Sequence, residues 1–562
     1  MDGLDGSRVA SFKRRVAESE PNSPFRPFVW LSRQWQDGRS LALWLLGVLV
    51  GIVGGYAALG FILAIEVTSY LVFGSDHELL ASGASALPFW QVFLAPVAGG
   101  VIVSALLYVG HRRGWLVDTR SGAAADVMEA RAARGGKITL ADGLFSAAIS
   151  AVSLGSGGSA GREGPAVHLG AAVASQVSRI FQLPPRGAKI LLACGAAAAV
   201  AASFNAPVAG ALFAFEIVLG HYAIRSIAPV AIASVTGALI SRMHLGASPA
   251  FVMPALSPAS LWDFPGVIGL GIAAALLAAV FVRTAVHAPR LVRAQAEKVG
   301  LPLWALPPIG GLGIGALALI APEILGVGYE ATANALGGNY GILFVLMLVV
   351  LKTLATGITL GFRFGGGVFS PSLYLGAMLG AAFGGALALT GAETAGVPFY
   401  AVVGMGAVAG AALGAPLSTT LIVFELTANY EASVAVLIAV SIATVLSQSL
   451  AGGSIFHLQV LRRGFDLSRG QARVLLQTIR VRDIMTPMEE NEAGADSDED
   501  APCLYEDDYL GRAIGFLSAE ALDGTIVRER SDAQTIVGYL SRVDAHAAYA
   551  KALADAHEEE HR

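Results

Sequence analysis

Residues 153–172 read SLGSGGSAGREGPAVHLGAA. One arginine and one glutamate, Arg162 and Glu163, sit inside a glycine-rich stretch, and Pro165 follows at once. Glycines break a helix, and a proline near the first helical position starts a new one. The first-turn amides of that helix have no carbonyl partners and the helix dipole adds partial positive charge, so Arg162, Gly164 and their neighbours form an anion-binding element. A second such terminus is written in Gly366-Gly-Val-Phe-Ser-Pro371. Glu163 is the unusual residue. A carboxylate beside an anion site competes with the anion for the same N–H donors, and protonation releases it, which makes Glu163 a gate and a proton carrier. Pairing with Arg162 or with a helix terminus is the plainer use of the same group. A nucleotide loop is the competing reading, because Gly155-Ser-Gly157-Gly-Ser-Ala160 fits a loose G-x-G-x-x-A pattern. The preceding LFSAAISAVSL is an apolar helix pattern rather than a strand, and no G-K-[ST] follows.

The elements that must hold these residues are membrane helices. The chain has 562 residues, of which 55% are hydrophobic and 14% charged, with 67 glycines. Between Phe364 and Leu461 the only formally charged side chains are Glu393, Glu425 and Glu431, too few for a water-soluble surface. Residues 1–40 are polar, with seven Lys/Arg against five Asp/Glu, and no cleavable signal peptide is visible. Basic residues also follow the last apolar run, from Arg462 to Arg482, so both termini are expected in the cytoplasm. Cys194 lies in an apolar run and Cys503 in the polar tail, which argues against a disulfide. No enzyme chemistry, metal site or tightly bound cofactor is expected.

Apolar segments run unevenly from 41–74 to 432–461, interrupted by Gly and Pro, unlike uniform spanning helices. Irregular backbone at membrane depth survives only inside protein or around a cavity. GAAAAVAASFNAPVAGALFAFE (195–216) matches GMGAVAGAALGAPLSTTLIVFE (404–425) at eight of 22 positions, and GREGPAVHLGA (161–171) matches GVFSPSLYLGA (367–377) at five of eleven. The order and offset agree, which predicts a duplicated domain with repeats near 90–242 and 303–461. Interrupted helices at corresponding places point to a substrate site between inverted repeats.

In combination, GREGP, FNAPVAGALFAFE, GGGVFSP and GAPLSTTLIVFELT resemble the CLC family of voltage-gated chloride channels and chloride/proton antiporters, over roughly residues 41–463. The resemblance implies an all-α polytopic membrane protein of two inverted repeats with uneven, broken helices. It also implies a homodimer with one anion pore per subunit, Glu163 as the gating glutamate, and the amides of Val368 and Phe369 as ligands of the central anion. Three departures stand out. The family's first anion motif, G-S-G-x-P, falls on TRSGAAADVMEA (119–130), where Gly122 takes the serine place and Ser121 is adjacent. The inner proton glutamate falls on Ile217, after Glu216, and isoleucine carries no proton. The pore tyrosine falls on Phe456, or on His457 in an ungapped alignment. The first and third departures imply a less discriminating site, and the second favours passive conduction over coupled antiport. Repetition of Glu216 as Glu425 marks a structural residue. A transport-inactive membrane sensor is the remaining alternative.

Residues 464–562 form the tail, with an acidic linker at 488–502. IRVRDIMTP (479–487) resembles the opening strand and helix of a CBS module, and IVGYLSRVDAHAAYAKAL (536–553) its closing strand and helix, giving a small α/β cytoplasmic domain. Ser541 and Asp544 fit the element that holds adenine nucleotides in that family, although an ordinary helix N-cap uses the same pair. His168 is either a proton acceptor or a helix-packing residue. Lys352 and Arg363 either raise the potential near the second motif or anchor at the interface. The expected setting is a bacterial inner membrane.

Overall fold

The computed structural model describes residues 41–116, 122–246, 251, 256–257, 263–391, 393–466, 471–488, 503–531 and 535–561. The N-terminal segment 1–40 and the acidic linker beyond Met488 lie outside the described residues. Nine of the described helices are long and apolar enough to cross a membrane, and the chain is an integral membrane protein. Its first half contains α1 (Leu41–Phe73), α2 (Phe89–Arg112), α3 (Ala124–Ala133), α4 (Leu140–Gly155), α5 (Glu163–Ile180), α6 (Pro185–Phe204), α7 (Pro207–Phe213) and α8 (Ile224–Leu245). A π turn, Ala214–Leu219, prolongs α7. The second half contains α9 (Phe264–Val299), α10 (Leu306–Ala318), α11 (Tyr329–Leu336), α12 (Ile342–Gly361), α13 (Phe369–Leu389), α14 (Gly396–Leu413), α15 (Pro416–Thr427), α16 (Tyr430–Ala451) and α17 (Ile455–Leu461).

The duplication is visible element by element. Helix α4 ends at Gly155 and α12 at Gly361, while α5 begins at Glu163 and α13 at Phe369, so both breaks are related by 206 residues. Asn205 and Gly414 end α6 and α14 in the left-handed region, and Pro207 and Pro416 start the next helices. Helices α5 and α6 cross backbone to backbone: a Cβ on Gly170 would lie 2.4 Å from the Gly195 oxygen. Helices α13 and α14 repeat the crossing, with a Cβ on Gly376 2.2 Å from the Gly404 oxygen.

Reciprocal hydrogen bonds join the halves. Gly161 N–H donates to the Gly367 oxygen at 2.7 Å, and Gly367 N–H donates to the Gly161 oxygen at 2.6 Å. Ser153 Oγ of α4 accepts from Gly365 N–H at 2.8 Å, and Thr359 Oγ1 of α12 accepts from Ser159 N–H at 3.0 Å. Each break thus has backbone groups satisfied by a hydroxyl of the other repeat, as non-helical backbone at membrane depth requires. Glu216 accepts from the amides of Leu417 (3.0 Å) and Ser418 (2.8 Å). Glu425 accepts from the amides of Val208 (3.0 Å) and Ala209 (2.8 Å). The two glutamates cap one another's neighbouring helix.

The tail is a small α/β unit. Helix α18 (Gln471–Thr478) precedes β1 (Thr486–Pro487), β2 (Leu504–Tyr505), α19 (Leu510–Ala519), β3 (Gly524–Arg528), β4 (Ile536–Ser541) and α20 (Arg542–His561). The strand order is β1-β4-β3-β2, with β2 and β3 parallel and the other pairs antiparallel. Val481, Leu504, Leu510, Leu517, Val527 and Leu540 form its core. The closing strand and helix fall within 536–561 as expected. The opening segment differs: it folds as a single 3-10 turn, Val481–Asp483, and a two-residue strand. Asp483 caps that turn through the Arg480 amide at 3.3 Å, and Pro487 cannot continue a helix. Arg186, in the second residue of α6, reaches Asp555 of α20 at 2.9 Å and ties the tail to the membrane domain.

Candidate anion site

Three helix N-termini converge on one cavity of about 200 Å³. Ala123 and Ala124 open α3, Gly164 lies in the first turn of α5, and Gly366, Gly367 and Val368 lead into α13. Phe456 and Gln459 of α17 complete this wall, and Arg293 and Arg363 are the ionised side chains of the lining. First-turn amides and arginines are both attractive to an anion, and among the described residues no carboxylate lines the space. Glycine is needed where the two repeats meet. A Cβ on Gly164 would lie 3.1 Å from the Gly367 Cα, and one on Gly367 would lie 3.0 Å from the Gly164 nitrogen.

Glu163 is the first residue of α5 and is buried. Its carboxylate reaches across to the N-terminus of α13, where Ser370 N–H donates to Oε2 at 3.3 Å and the Ser370 hydroxyl donates to Oε1. The side chain therefore takes donors of the helix end that would otherwise face an anion. Phe204 and Phe213 stack on Phe369 beside it, with ring centroids 5.1 and 5.9 Å away. Protonating the carboxylate removes its charge and weakens its hold on these donors.

Several expected residues are placed differently. Arg162 does not line the cavity, which corrects its assignment as an anion ligand. Its guanidinium lies 3.1 Å from His77 Nε2, donates to the Ser203 oxygen at 2.9 Å and sits 4.9 Å over the Tyr329 ring. These contacts turn it away, toward the loop before α2 and helix α11. Gly122 is next to the lining, but its amide is given to Ser146 Oγ at 2.8 Å, so it is not a free anion donor. Ser121 lies outside the described residues. Lys352 is fully buried and donates to the oxygens of Ile324 and Gly326, both at 2.9 Å, so it fastens a turn and does not reach the cavity. Arg363 does line the cavity and donates to the Leu303 oxygen at 3.4 Å.

Phe456 lines the cavity, whereas His457 N–H donates to Ser454 Oγ at 3.4 Å as part of a helix cap. Ile217 is buried in the π turn beside the capping Glu216, with no polar group to offer. In the tail, Ser541 Oγ accepts from Asp544 N–H at 3.0 Å and donates to Asp544 Oδ2 at 2.6 Å. That is a helix N-cap, the plainer of the two uses the sequence offers for this pair. Ser370 is the site residue that sequence reasoning missed. The hydroxyl directly before Pro371, at a helix start, was the available signal. Ser146 was missed as well, because nothing in its own helix announces a partner in another segment.

The chain was compared with known proteins. A family model described as "Voltage gated chloride channel" matches residues 99–448. A putative chloride channel protein, ClcB-like, from Ralstonia nicotianae is 33% identical over 426 residues, covering 75% of this chain and 97% of the relative. A voltage-gated ClC-type chloride channel, ClcB, from Escherichia coli is 30% identical over 418 residues, covering 74% and 97%. Among solved structures, a slow cyanobacterial Cl−/H+ antiporter aligns with a TM-score of 0.65 at 22% identity, covering 75% of this chain and 97% of that one. A eukaryotic CLC transporter aligns at 0.61 and 17% identity, covering 89% and 97%. The structural likenesses carry the fold. The sequence match and the paired breaks around Glu163 carry the family: this chain belongs to the CLC family of voltage-gated chloride channels and related anion transporters.

Proposed function

We propose that the chain carries chloride across the membrane by passive conduction, through a pore in each subunit that Glu163 closes and opens. The observation that carries this reading is the Glu163 carboxylate seated on the Ser370 amide and hydroxyl, at one of three helix ends facing one arginine-flanked cavity. Chloride enters from the cavity and displaces the carboxylate, and protonation of Glu163 keeps the route open. Passive conduction is favoured because the inner proton position is Ile217 and its neighbour Glu216 is committed to capping α15. The subunits act as a homodimer in a bacterial inner membrane with both termini in the cytoplasm, and the tail is a CBS-like unit.

The test is the reversal potential of purified protein in planar bilayers, with symmetric chloride and a one-unit pH gradient. Passive conduction gives a value of zero. A shift toward the proton equilibrium potential overturns it in favour of coupled antiport, the second reading, which a buried titratable pair (His168 and Asp142) would serve. Absence of any chloride flux in liposomes would leave the inactive sensor. Glu163→Gln is expected to change the flux and remove its steep pH dependence; if both persist unchanged, the gate is misassigned.

A further inference from the structure

Gly122 is small for a reason visible in its surroundings. A Cβ built there would lie 2.2 Å from Cε1, 2.5 Å from Nδ1 and 2.6 Å from Nε2 of His168. The imidazole of α5 thus fills the space in front of Gly122. Two cavity-lining residues bracket it: Ala123 follows Gly122 in the chain, and Gly164 lies one turn before His168 on the same helix face. His168 is fully buried, and among the described residues neither ring nitrogen makes a hydrogen bond. A buried polar group without a partner is costly, and one that persists calls for a ligand. Asp142 Oδ2 of α4 lies 3.7 Å from His168 Nε2, beyond hydrogen-bond range.

We infer that His168 is the anion-selecting ligand of this chain, an imidazole N–H donor standing where a serine hydroxyl would require a side chain on residue 122. It rests on the anion-transport reading above. His168 is not itself part of the cavity lining; with one ring nitrogen toward Asp142, the other has no hydrogen-bond partner among the described residues and would meet an anion that passes the lining residues Ala123 and Gly164. A hydroxyl donor is neutral at every working pH. An imidazole can also donate as a charged group, and the charged form holds an anion more tightly than the neutral one. The charged groups around it are few. Asp142 faces it from α4, and Glu163 precedes it on α5. Of the other helices packed against α5, α3 carries Asp126, Glu129 and Arg131, and α1 carries Glu66, Tyr56 and Tyr70. Asp126 is itself held by the Ala123 amide at 2.7 Å and by Arg463 at 2.8 Å. The faces of α6 and α13 packed against α5 carry no ionisable side chain between Leu191 and Phe204 or between Phe369 and Leu389, apart from Cys194 and Tyr374.

The test measures chloride binding by titration calorimetry on the full-length protein in detergent, in a Glu163→Gln background that removes the competing carboxylate. Binding about tenfold tighter at pH 5.5 than at pH 7.5 is expected, the difference between a charge-assisted and a neutral donor. His168→Gln, which keeps an amide donor, should bind with no pH dependence. The exchange Gly122→Ser with His168→Ala, which moves the hydroxyl into the vacated space, should also bind independently of pH. A pH-dependent affinity surviving in either folded variant overturns the inference. Failure of the Glu163→Gln protein to bind chloride at either pH would instead count against the anion-transport reading itself.

Discussion

The two backbone breaks are built alike and equipped differently. Gly161 and Gly367 exchange amide and carbonyl, and Ser153 and Thr359 each satisfy an amide of the opposite break. At the same offset of 206 residues, the first break carries Arg162, Glu163 and His168 where the second carries Val368, Phe369 and Tyr374. On the proposed reading, backbone donors for an anion come from both repeats, because a helix end needs only its amides. The carboxylate and the imidazole are placed in one. A gate installed in both repeats would put two carboxylates at one site, each raising the cost of ionising the other. The comparison teaches that duplication supplied the paired backbone breaks, and that divergence supplied the side chains to which the proposed function gives the control.

The sharpest way to break this contrast is to remove the control. Glu163→Gln should make chloride efflux from liposomes independent of the proton gate, with a gain of roughly tenfold for each pH unit above the carboxylate's titration. Phe369→Gln, its counterpart, should leave the pH profile in place. The shared container is tested next. Gly170→Val and Gly376→Val each drive a side chain into a backbone carbonyl, and both should cost about 3 kcal/mol, the upper range for overpacking. Thermal unfolding followed by loss of the monodisperse gel-filtration peak measures both, and a large difference between them would end the claim of equivalence.

A smaller and again symmetrical effect is expected at the reciprocal caps. Glu216→Ala and Glu425→Ala each abandon two backbone N–H groups, worth about 1–2 kcal/mol, and neither should shift the reversal potential in a pH gradient. Such a shift in Glu216→Ala would make that residue a proton carrier. The smallest effect lies outside the comparison: Ser541→Ala should cost about 1 kcal/mol of tail stability through loss of its cap, read by denaturant unfolding of the intact protein.

Much of this was legible before any coordinates. Membrane residence follows from 98 residues with three charges, since lipid sets a composition that no soluble surface shares. The breaks follow from glycine and proline, whose conformational limits are local. The duplication follows from an offset that chance does not reproduce twice in order. Glu163 stood out because a carboxylate at a glycine-rich helix start competes for the same free amides as an anion would. What the sequence could not determine is where each side chain turns. Arg162 sits next to Glu163 yet spends its charge on His77 and Ser203, and Ser370 holds the Glu163 carboxylate from 207 residues away. Gly122 and Ser146 meet across 24 residues, and His168 fills the room that Gly122 leaves. Local backbone preferences are properties of neighbouring residues and can be read in order along a chain. Hydrogen-bond partners and the occupancy of a missing side chain's space depend on which helices cross, and that is decided only when the two repeats pack together.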